Sequence, residues 1–285
     1  MSAARIDLDC DGHTHSEFCP HGSREPLERY LDRAVELGLR RYCVTEHIPL
    51  PTGFVDPMGP YECAGPAEDL AAYLTRGDEV RAAYADRLTV FVGLEIDWLG
   101  GAQGNRHADL LAMLAPVWDR LAPEATLLSV HFVGSGLVDG TPDLAAGLVP
   151  PGASIDALHL RYYTELRAAL TASWRHDGRD LRPRRVSHLT LPRKFVRRQP
   201  LAEPERVWAA ADEVLELIAR EGLELDLNTA GLDKPDCGEI YLPEPLLSRA
   251  LALGIPLVFG SDAHAAREVG RHREVVAGMV AEGGN

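Results

Sequence analysis

Seven short segments rich in apolar and β-branched residues alternate along the chain with longer segments of helical periodicity. The predicted strands are 6–10, 41–45, 88–94, 126–130, 185–187, 223–227 and 257–260, and the predicted helices are 25–37, 67–85, 108–121, 155–174, 203–220, 243–253 and 267–282. Strands that alternate with helices form parallel sheets, because each helix leads the chain back to the start of the next strand. The pattern therefore predicts an α/β fold, either a closed parallel barrel or an open doubly wound sheet.

Polar side chains at the strand ends favour the barrel. All seven predicted strands are followed by histidine, carboxylate or amide side chains. An open sheet would draw on two or three strand ends near a switch point, whereas a barrel brings the carboxyl ends of all its strands to one mouth. The sequence therefore predicts seven βα units with a functional site at the mouth.

The organisation predicted is a single domain over residues 1–285. The chain has 285 residues, a length that single α/β barrels reach, and it contains no repeat and no change of composition typical of a linker. Residues 48–66 carry five prolines and are too long for an ordinary connector, so we interpret them as a lid or pocket wall. Residues 134–152 hold five glycines and three prolines and are interpreted as an inserted loop.

Histidines dominate the strand ends. His13 and His15 are two residues apart after the first strand, so their side chains share a face, and Asp262 and His264 have the same spacing after the last. The nine candidate metal ligands are His13, His15, His21, His47, Glu95, His131, His188, Asp262 and His264. A catalytic zinc takes about three protein ligands, so nine candidates indicate two or three ions. Imidazole also binds iron, manganese and nickel, so the residue types leave the metal open.

Charge and cysteine content limit the partners. The net charge of −14 and the pI near 5.2 disfavour nucleic acid and anionic membranes, and a small substrate is the better expectation. The five cysteines include no C-x-x-C pair, and Cys10 and Cys43 lie in apolar strands as small buried side chains. No signal-like or membrane-spanning apolar run is present, so we expect a cytoplasmic protein, and its oligomeric state stays open.

The order and spacing of these motifs resemble the PHP (polymerase and histidinol phosphatase) superfamily. The matching segments are His13-Thr14-His15 with His21, Thr45-Glu46-His47, Gly93-Leu94-Glu95, Ser129-Val130-His131, Ser187-His188 and Gly260-Ser261-Asp262-Ala263-His264. The resemblance spans residues 11–264, and segments 11–22, 46–51, 95–97 and 188–195 are most similar to the stand-alone histidinol-phosphate phosphatases of histidine biosynthesis.

The resemblance implies a distorted (β/α)7 barrel with a trinuclear metal site at the carboxyl ends of the strands. By position, it assigns His13, His15, Glu95 and Asp262 to a first ion, Glu95, His131 and His188 to a second, and His21, His47 and His264 to a third. The implied cofactors are two or three divalent ions of zinc, manganese or iron. Asp262, His264 and Arg193 are the candidate catalytic residues.

Residues 179–198 contain eight basic side chains and one acidic side chain within an otherwise acidic protein. Most are expected to be solvated loop charges. Arg193 and Lys194 directly follow the His188 motif and are predicted to bind phosphate, with the guanidinium fork of Arg193 preferred.

The remaining candidates concern the rest of the substrate and the histidines outside the motifs. Glu17, Asp97 and Asn228 are candidates either for binding the amine and imidazole of the substrate or for orienting metal-bound histidines. The four histidines outside the motifs, at 107, 159, 176 and 272, are expected on the surface.

The expected function is metal-dependent hydrolysis of L-histidinol phosphate. An alternative keeps the site but changes the substrate to another small phosphoester or to a nucleic-acid end. The acidic net charge and the lack of an aromatic and basic stripe count against nucleic acid. A metal-stabilised module without catalysis would be expected to have lost ligands, and all nine positions are filled.

Overall fold

The computed structural model describes residues 6–283. The strands are β1 (Ile6–Asp7), β2 (Cys10–Asp11), β3 (Arg41–His47), β4 (Thr89–Asp97), β5 (Thr126–Ser129), β6 (Phe132–Val133), β7 (Gly136–Leu137), β8 (Arg175–His176), β9 (Arg179–Asp180), β10 (Arg185–Val186), β11 (Glu224–Asn228) and β12 (Leu257–Gly260). The helices are α1 (Leu27–Glu36), α2 (Asp69–Tyr84), α3 (His107–Leu114), α4 (Pro142–Gly147), α5 (Asp156–Thr171), α6 (Pro204–Arg220), α7 (Glu244–Ala252) and α8 (Arg273–Gly283). None of these helices combines the length and apolar character needed to cross a membrane.

Eight parallel strands form one sheet in the order β1, β12, β11, β10, β5, β4, β3, β2. The two outermost members are pieces of one broken strand, since β1 pairs with β12 and β2 pairs with β3. The Gly12 amide donates to the Phe259 carbonyl at 2.7 Å, and the Asp262 amide donates to the His13 carbonyl at 2.7 Å, so the break is bridged. The ring is therefore a distorted barrel of seven βα units, as the sequence predicted, with its first strand in two parts.

Glycine at position 12 allows this closure. A Cβ at Gly12 would lie 2.5 Å from Nη1 of Arg185 and 2.6 Å from Cγ1 of Val258, distances that no side chain tolerates. Arg185 is buried and donates to the Gly12 carbonyl at 2.7 Å and to the Glu124 carbonyl at 2.7 Å. The backbone must approach the guanidinium closely, which only glycine permits.

The amino ends of the strands are filled, whereas the carboxyl ends are open. Cys10, Cys43, Ala125 and Val258 form a small apolar cluster near Arg185 and close the lower part of the barrel, and both cysteines are buried as predicted. The helices cover the outside, and α6 presents one buried stripe to the barrel. That stripe consists of Val207, Ala211, Val214, Leu215 and Ile218. Free space for a ligand is therefore at the mouth.

Several predicted boundaries were wrong, including the start of the closing helix, which was predicted at residue 267 and lies at Arg273. The helix predicted over 108–121 ends at Leu114 because Pro116 cannot continue it, and a 3₁₀ turn follows at Trp118–Arg120. The inserted loop contains α4, which begins where the Thr141 hydroxyl accepts from the Leu144 amide at 3.2 Å. The first strand is interrupted between Asp7 and Cys10.

Candidate metal centre

A cavity of about 280 Å³ opens at the carboxyl ends of the strands. Seven of the nine predicted metal ligands line it, and His13 and His15 are fully buried beside them. The seven are His21, His47, Glu95, His131, His188, Asp262 and His264. The barrel therefore brings side chains from distant parts of the chain into one site.

Glu95, at the end of β4, is the centre of this site. One carboxylate oxygen, Oε2, lies 3.4 Å from His13 Nε2, 3.6 Å from His15 Nε2 and 3.1 Å from His47 Nδ1. The other oxygen, Oε1, lies 2.9 Å from His188 Nε2 and 3.6 Å from His131 Nε2. A carboxylate that faces different histidines with its two oxygens has the arrangement needed to bridge two cations.

A second group joins the first and last strands. Oδ1 of Asp262 lies 3.4 Å from His15 Nε2 and 3.9 Å from His13 Nε2. Asp262 has a φ of 52°, a left-handed conformation that costs free energy for a residue other than glycine. Its carbonyl accepts from Arg271 Nη2 at 2.9 Å, which together with the amide bond to His13 holds this conformation.

Three imidazoles form a third group at the rim of the cavity. The Nε2 atom of His21 lies 3.1 Å from Nε2 of His264 and 3.3 Å from Nε2 of His47. The thiol of Cys19, which sequence reasoning did not select, lies within 4.8 Å of donor atoms of His15, His47 and His264. A hydrogen bond needs one donor and one acceptor, so three neighbouring Nε2 atoms cannot all be paired with one another. A cation bound between them would give each nitrogen a partner.

Carboxylates outside the ligand set hold the opposite nitrogens of the histidines. The Nδ1 atom of His13 lies 2.7 Å from Oδ2 of Asp226, and Nδ1 of His131 lies 2.9 Å from Oδ1 of Asp97. Such contacts fix the tautomer and direct Nε2 toward the centre. Asp226 was missed, although it lies two residues before Asn228 on β11 and therefore on the same strand face.

The buried polar atoms of the site fit a metal cluster. Among the described residues, Nε2 of His13 and both ring nitrogens of His15 are buried and have no hydrogen-bond partner. An unsatisfied buried polar atom costs about 1–3 kcal/mol, so three of them in one place need an explanation. Imidazole and carboxylate donors suit divalent ions such as zinc, iron and manganese, and these residues therefore fit such ions.

Electrostatics couple the imidazoles to the carboxylates. Burial lowers the pKa of His15, but Asp262 and Glu46 outweigh it and raise that pKa to about 9. The pKa of His131 is raised to about 10, because Asp97 and Glu95 outweigh the effect of burial in the same way. Burial raises the pKa of Glu95, but the surrounding histidines hold it well below its usual value. Without metal ions, His15 and His131 therefore hold protons at neutral pH, whereas burial lowers the pKa of His21 to about 4 and keeps that imidazole neutral.

The candidate phosphate ligands take different positions. Lys194 lines the cavity, with Nζ 3.0 Å from Oδ2 of Asp139. Arg193 points away: it is bonded to Glu239, its guanidinium carbon lies 4.7 Å from the ring centroid of Trp208, and it does not line the cavity. Its charge is already paired, so we do not keep Arg193 as a phosphate ligand.

The three side chains predicted to bind the substrate amine and imidazole or to orient metal-bound histidines also take different positions. Asp97 orients His131 and lines an adjoining cavity. Asn228 is buried and donates to Asp226 at 3.0 Å, so it supports the orientation of His13. Glu17 pairs with Arg76 at 3.1 Å and does not line either cavity.

The adjoining cavity, of about 200 Å³, combines apolar walls with carboxylates. Its apolar lining includes Met58, Phe132 and Leu137, and its acids are Glu62, Asp97 and Asp139. Met58, Glu62 and Cys63 belong to the proline-rich segment 48–66, which therefore forms a pocket wall as expected. One of the four histidines expected at the surface, His159, is instead buried on α5.

Comparisons with known proteins agree with this architecture. The chain matches the PHP domain family over residues 11–230 and a family described as PHP-associated over residues 247–282. It is 33% identical over 264 residues to the histidinol-phosphatase of Bacillus subtilis, covering 91% of this chain and 95% of that protein.

Two solved structures share the fold. The crystal structure of a Listeria monocytogenes protein assigned as a histidinol phosphatase superimposes with a TM-score of 0.85 at 30% identity, covering 93% of this chain and 99% of that chain. The histidinol phosphate phosphatase of Lactococcus lactis, solved with zinc, L-histidinol and phosphate, superimposes with a TM-score of 0.69 at 20% identity, covering 99% and 95%. The chain belongs to the PHP domain family and, within it, is similar to the histidinol-phosphatases.

Proposed function

We propose that the protein is a metal-dependent phosphatase that hydrolyses L-histidinol phosphate to L-histidinol and phosphate. The observation that carries the proposal is the convergence of nine histidine and carboxylate side chains on one cavity that also contains lysines. Similarity to the Bacillus subtilis histidinol-phosphatase over nearly the full length of both chains supports the choice of substrate. The ligands run from His13 to His264, which supports treating the chain as one hydrolase domain.

The nine side chains would hold two or three divalent ions of zinc, manganese or iron. We assign His13, His15, Glu95 and Asp262 to one ion, Glu95, His131 and His188 to a second, and His21, His47 and His264 to a third. When bound, such ions neutralise phosphate charge and lower the pKa of water toward neutrality. Glu95 shares its two oxygens between groups, while Asp226 and Asp97 keep the imidazole nitrogens aimed at the centre.

The protein's own contribution to phosphate chemistry is charge and position. A phosphomonoester is a dianion near neutral pH, and its hydrolysis is accelerated chiefly by groups that stabilise charge on the phosphoryl oxygens. Lys194 and Lys234 both line the cavity where that group would sit. Asp262 and His264 would serve the reaction by holding metal ions, which supply positive charge for the phosphoryl oxygens.

The adjoining cavity suits the other end of histidinol phosphate. That end carries an ammonium group and an imidazole ring, which need negative charge and a partly apolar wall. Asp97 and Glu62 provide the charge, and Phe132 and Leu137 provide apolar surface. We therefore place the phosphate beside the metal ligands and the amino alcohol against these acids.

The alternative is a PHP phosphoesterase for another small phosphoester or a nucleic-acid end. A net charge of −14 and several carboxylates at the mouth oppose a polyanionic substrate. We therefore expect a small phosphorylated substrate.

All five cysteines are free thiols, which is typical of a reducing compartment. We therefore expect the enzyme to work in the cytoplasm.

Phosphate release tests the proposal directly. We expect protein stripped with a chelator and reloaded with zinc, manganese or iron to hydrolyse histidinol phosphate at least about a hundredfold faster, in kcat/KM, than p-nitrophenyl phosphate or a nucleotide. The reason is that histidinol phosphate has a cationic end for the acids of the adjoining cavity as well as a phosphoryl group, whereas the other two substrates lack the cationic end. A preference for the nucleotide would support the alternative substrate, and no turnover with any metal would support a non-catalytic module.

Metal binding should release protons. Metals bind neutral imidazole, but the pKa of His15 is about 9 and that of His131 about 10 in the metal-free site. We therefore expect net proton release when zinc is added at pH 7.5, measured by titration calorimetry in two buffers of different ionisation enthalpy. Apparent heats that are the same in both buffers, after dilution corrections, would contradict it.

The same shifts set the pH dependence of the metal-free protein. Both histidine pKa values are raised above the usual 6.5, so their contribution to stability is complete below pH 6.5 and is lost as the pH rises through about 9 to 10. The free energy of unfolding of the metal-free protein should therefore decrease over this range, and denaturant titrations would show it.

A further inference from the structure

The distribution of basic residues around the mouth is unusual. Of the 29 basic residues in the chain, 27 are arginine and only two, Lys194 and Lys234, are lysine. Both lysines line the 280 Å³ cavity that contains the candidate metal ligands. Every other basic side chain of the protein is arginine, so lysine occurs only at this cavity.

Arginine and lysine differ in what they can do at such a place. A guanidinium is planar and binds in a fixed fork, whereas an ammonium is a compact charge on a flexible stem that can follow a moving oxygen. Lysine is an established phosphate binder in this point-charge role. Surface solubility does not explain the choice, because arginine fills that role throughout this chain.

The three cations that line the cavity have different partners. Arg271 is already used: Nε donates to the Ser261 carbonyl at 2.7 Å, Nη2 donates to the Asp262 carbonyl at 2.9 Å, and Nη1 lies 3.4 Å from Asp233. Lys194 is paired with Asp139. Arg271 therefore holds the backbone of a metal ligand, and the charge of Lys194 is balanced by a carboxylate.

Lys234 is different. Among the side chains that the structure describes, those of residues 6–279, its ammonium finds neither a hydrogen-bond nor an ion-pair partner, although the side chain is half-buried at the mouth. The carboxylate of its neighbour Asp233 is instead bonded to His272 at 2.7 Å and faces Arg271 at 3.4 Å. A half-buried charge without a partner beside a substrate cavity is available to the substrate.

We propose that Lys234 is the side chain that recognises the phosphoryl group of the substrate, while Lys194 stays paired with Asp139. The assignment rests on the proposed function, since it places the phosphoryl group in the cavity beside the metal ligands. Lys234 lies on the loop after β11, directly after the 3₁₀ turn that ends at Asp233, so it reaches the cavity from the strand that carries Asp226 and Asn228.

The first test uses the metal-loaded enzyme and the variants Lys234→Met and Lys234→Arg. We expect Lys234→Met to raise KM for histidinol phosphate and the Kd for inorganic phosphate, measured by calorimetry, by about tenfold or more, with metal content and melting temperature unchanged. Lys234→Arg should recover part of the loss, because it keeps the charge but not the shape. Arg206→Met, on the exposed side of α6, is the control and should change neither constant.

The failures of the two proposals can be told apart. If the wild-type enzyme does not hydrolyse histidinol phosphate, the substrate assignment fails, and phosphate calorimetry still tests Lys234. If the wild-type enzyme is active and Lys234→Met keeps both constants within twofold of wild type, the role of Lys234 is overturned.

The scarcity of lysine allows a second, independent measurement. Acetic anhydride modifies amines, and apart from the amino terminus this chain offers it only two. Mass spectrometry should show that inorganic phosphate protects Lys234 from acetylation and protects Lys194 less. Equal acetylation of Lys234 with and without phosphate would overturn the proposal.

Discussion

Replacing Glu95 by Gln is expected to lower kcat/KM for histidinol phosphate by about a thousandfold or more. Glutamine keeps the shape of the side chain but removes the negative charge that five histidines surround. It also replaces one acceptor oxygen by a donor amide, so the side chain would no longer offer an acceptor oxygen to each of the two groups of histidines. Phosphate release and metal content by elemental analysis measure the effect, and both are expected to fall.

A matched control separates this effect from a general loss of carboxylate charge. Glu79 lies on α2, is exposed, and pairs with Arg76 at 3.3 Å, so Glu79→Gln should keep wild-type turnover and metal content. Circular dichroism would show whether Glu95→Gln stays folded. A folded Glu95→Gln protein with its full metal content and kcat/KM within tenfold of wild type would contradict the central position assigned to this residue.

Replacing Asp226 by Asn is the second large effect. The buried carboxylate of Asp226 holds Nδ1 of His13 at 2.7 Å and accepts from Asn228 at 3.0 Å. Asparagine would remove the charge that keeps the His13 ring basic and correctly oriented, although no candidate metal ligand is itself replaced. Changes of this kind cost about 10- to 100-fold in metal affinity or activity, and we expect that range for zinc affinity measured by chelator competition.

The control for Asp226 is an aspartate of the outer helices. Asp212 on α6 accepts from Arg249 Nε at 2.5 Å at the surface, and Asp212→Asn should leave zinc affinity unchanged. An Asp226→Asn protein with wild-type zinc affinity would show that His13 needs no such support.

The convergence of the candidate metal ligands could be predicted because these residues follow strands, and the position of a strand end is set by local sequence pattern. Once the seven strands were identified, the barrel itself dictated that residues as distant as His13 and Asp262 meet. The break in the first strand was not predictable, because it depends on how β1 and β2 pair with different neighbours. Pairing partners are a property of the whole ring.

Side-chain direction in loops was the other limit. Arg193 and Lys194 are adjacent in the 3₁₀ segment Leu191–Phe195, yet one reaches Glu239 and Trp208 while the other reaches the cavity. No periodic pattern marks which of two neighbouring cations turns inward. The surface position predicted for His159 was also wrong, because the sequence alone did not show which face of α5 the rest of the chain covers.

The broken first strand has a consequence for biosynthesis. Asp11 accepts from the Ser261 amide at 2.9 Å across 250 positions of sequence, so the ring is joined only after almost the whole polypeptide has left the ribosome. Asp262 and His264 are synthesised at that final stage, whereas His13 and His15 are synthesised near the start. Nascent chains should therefore acquire their ions late, and a ribosome-stalled chain ending before β12 should bind less zinc than the released protein.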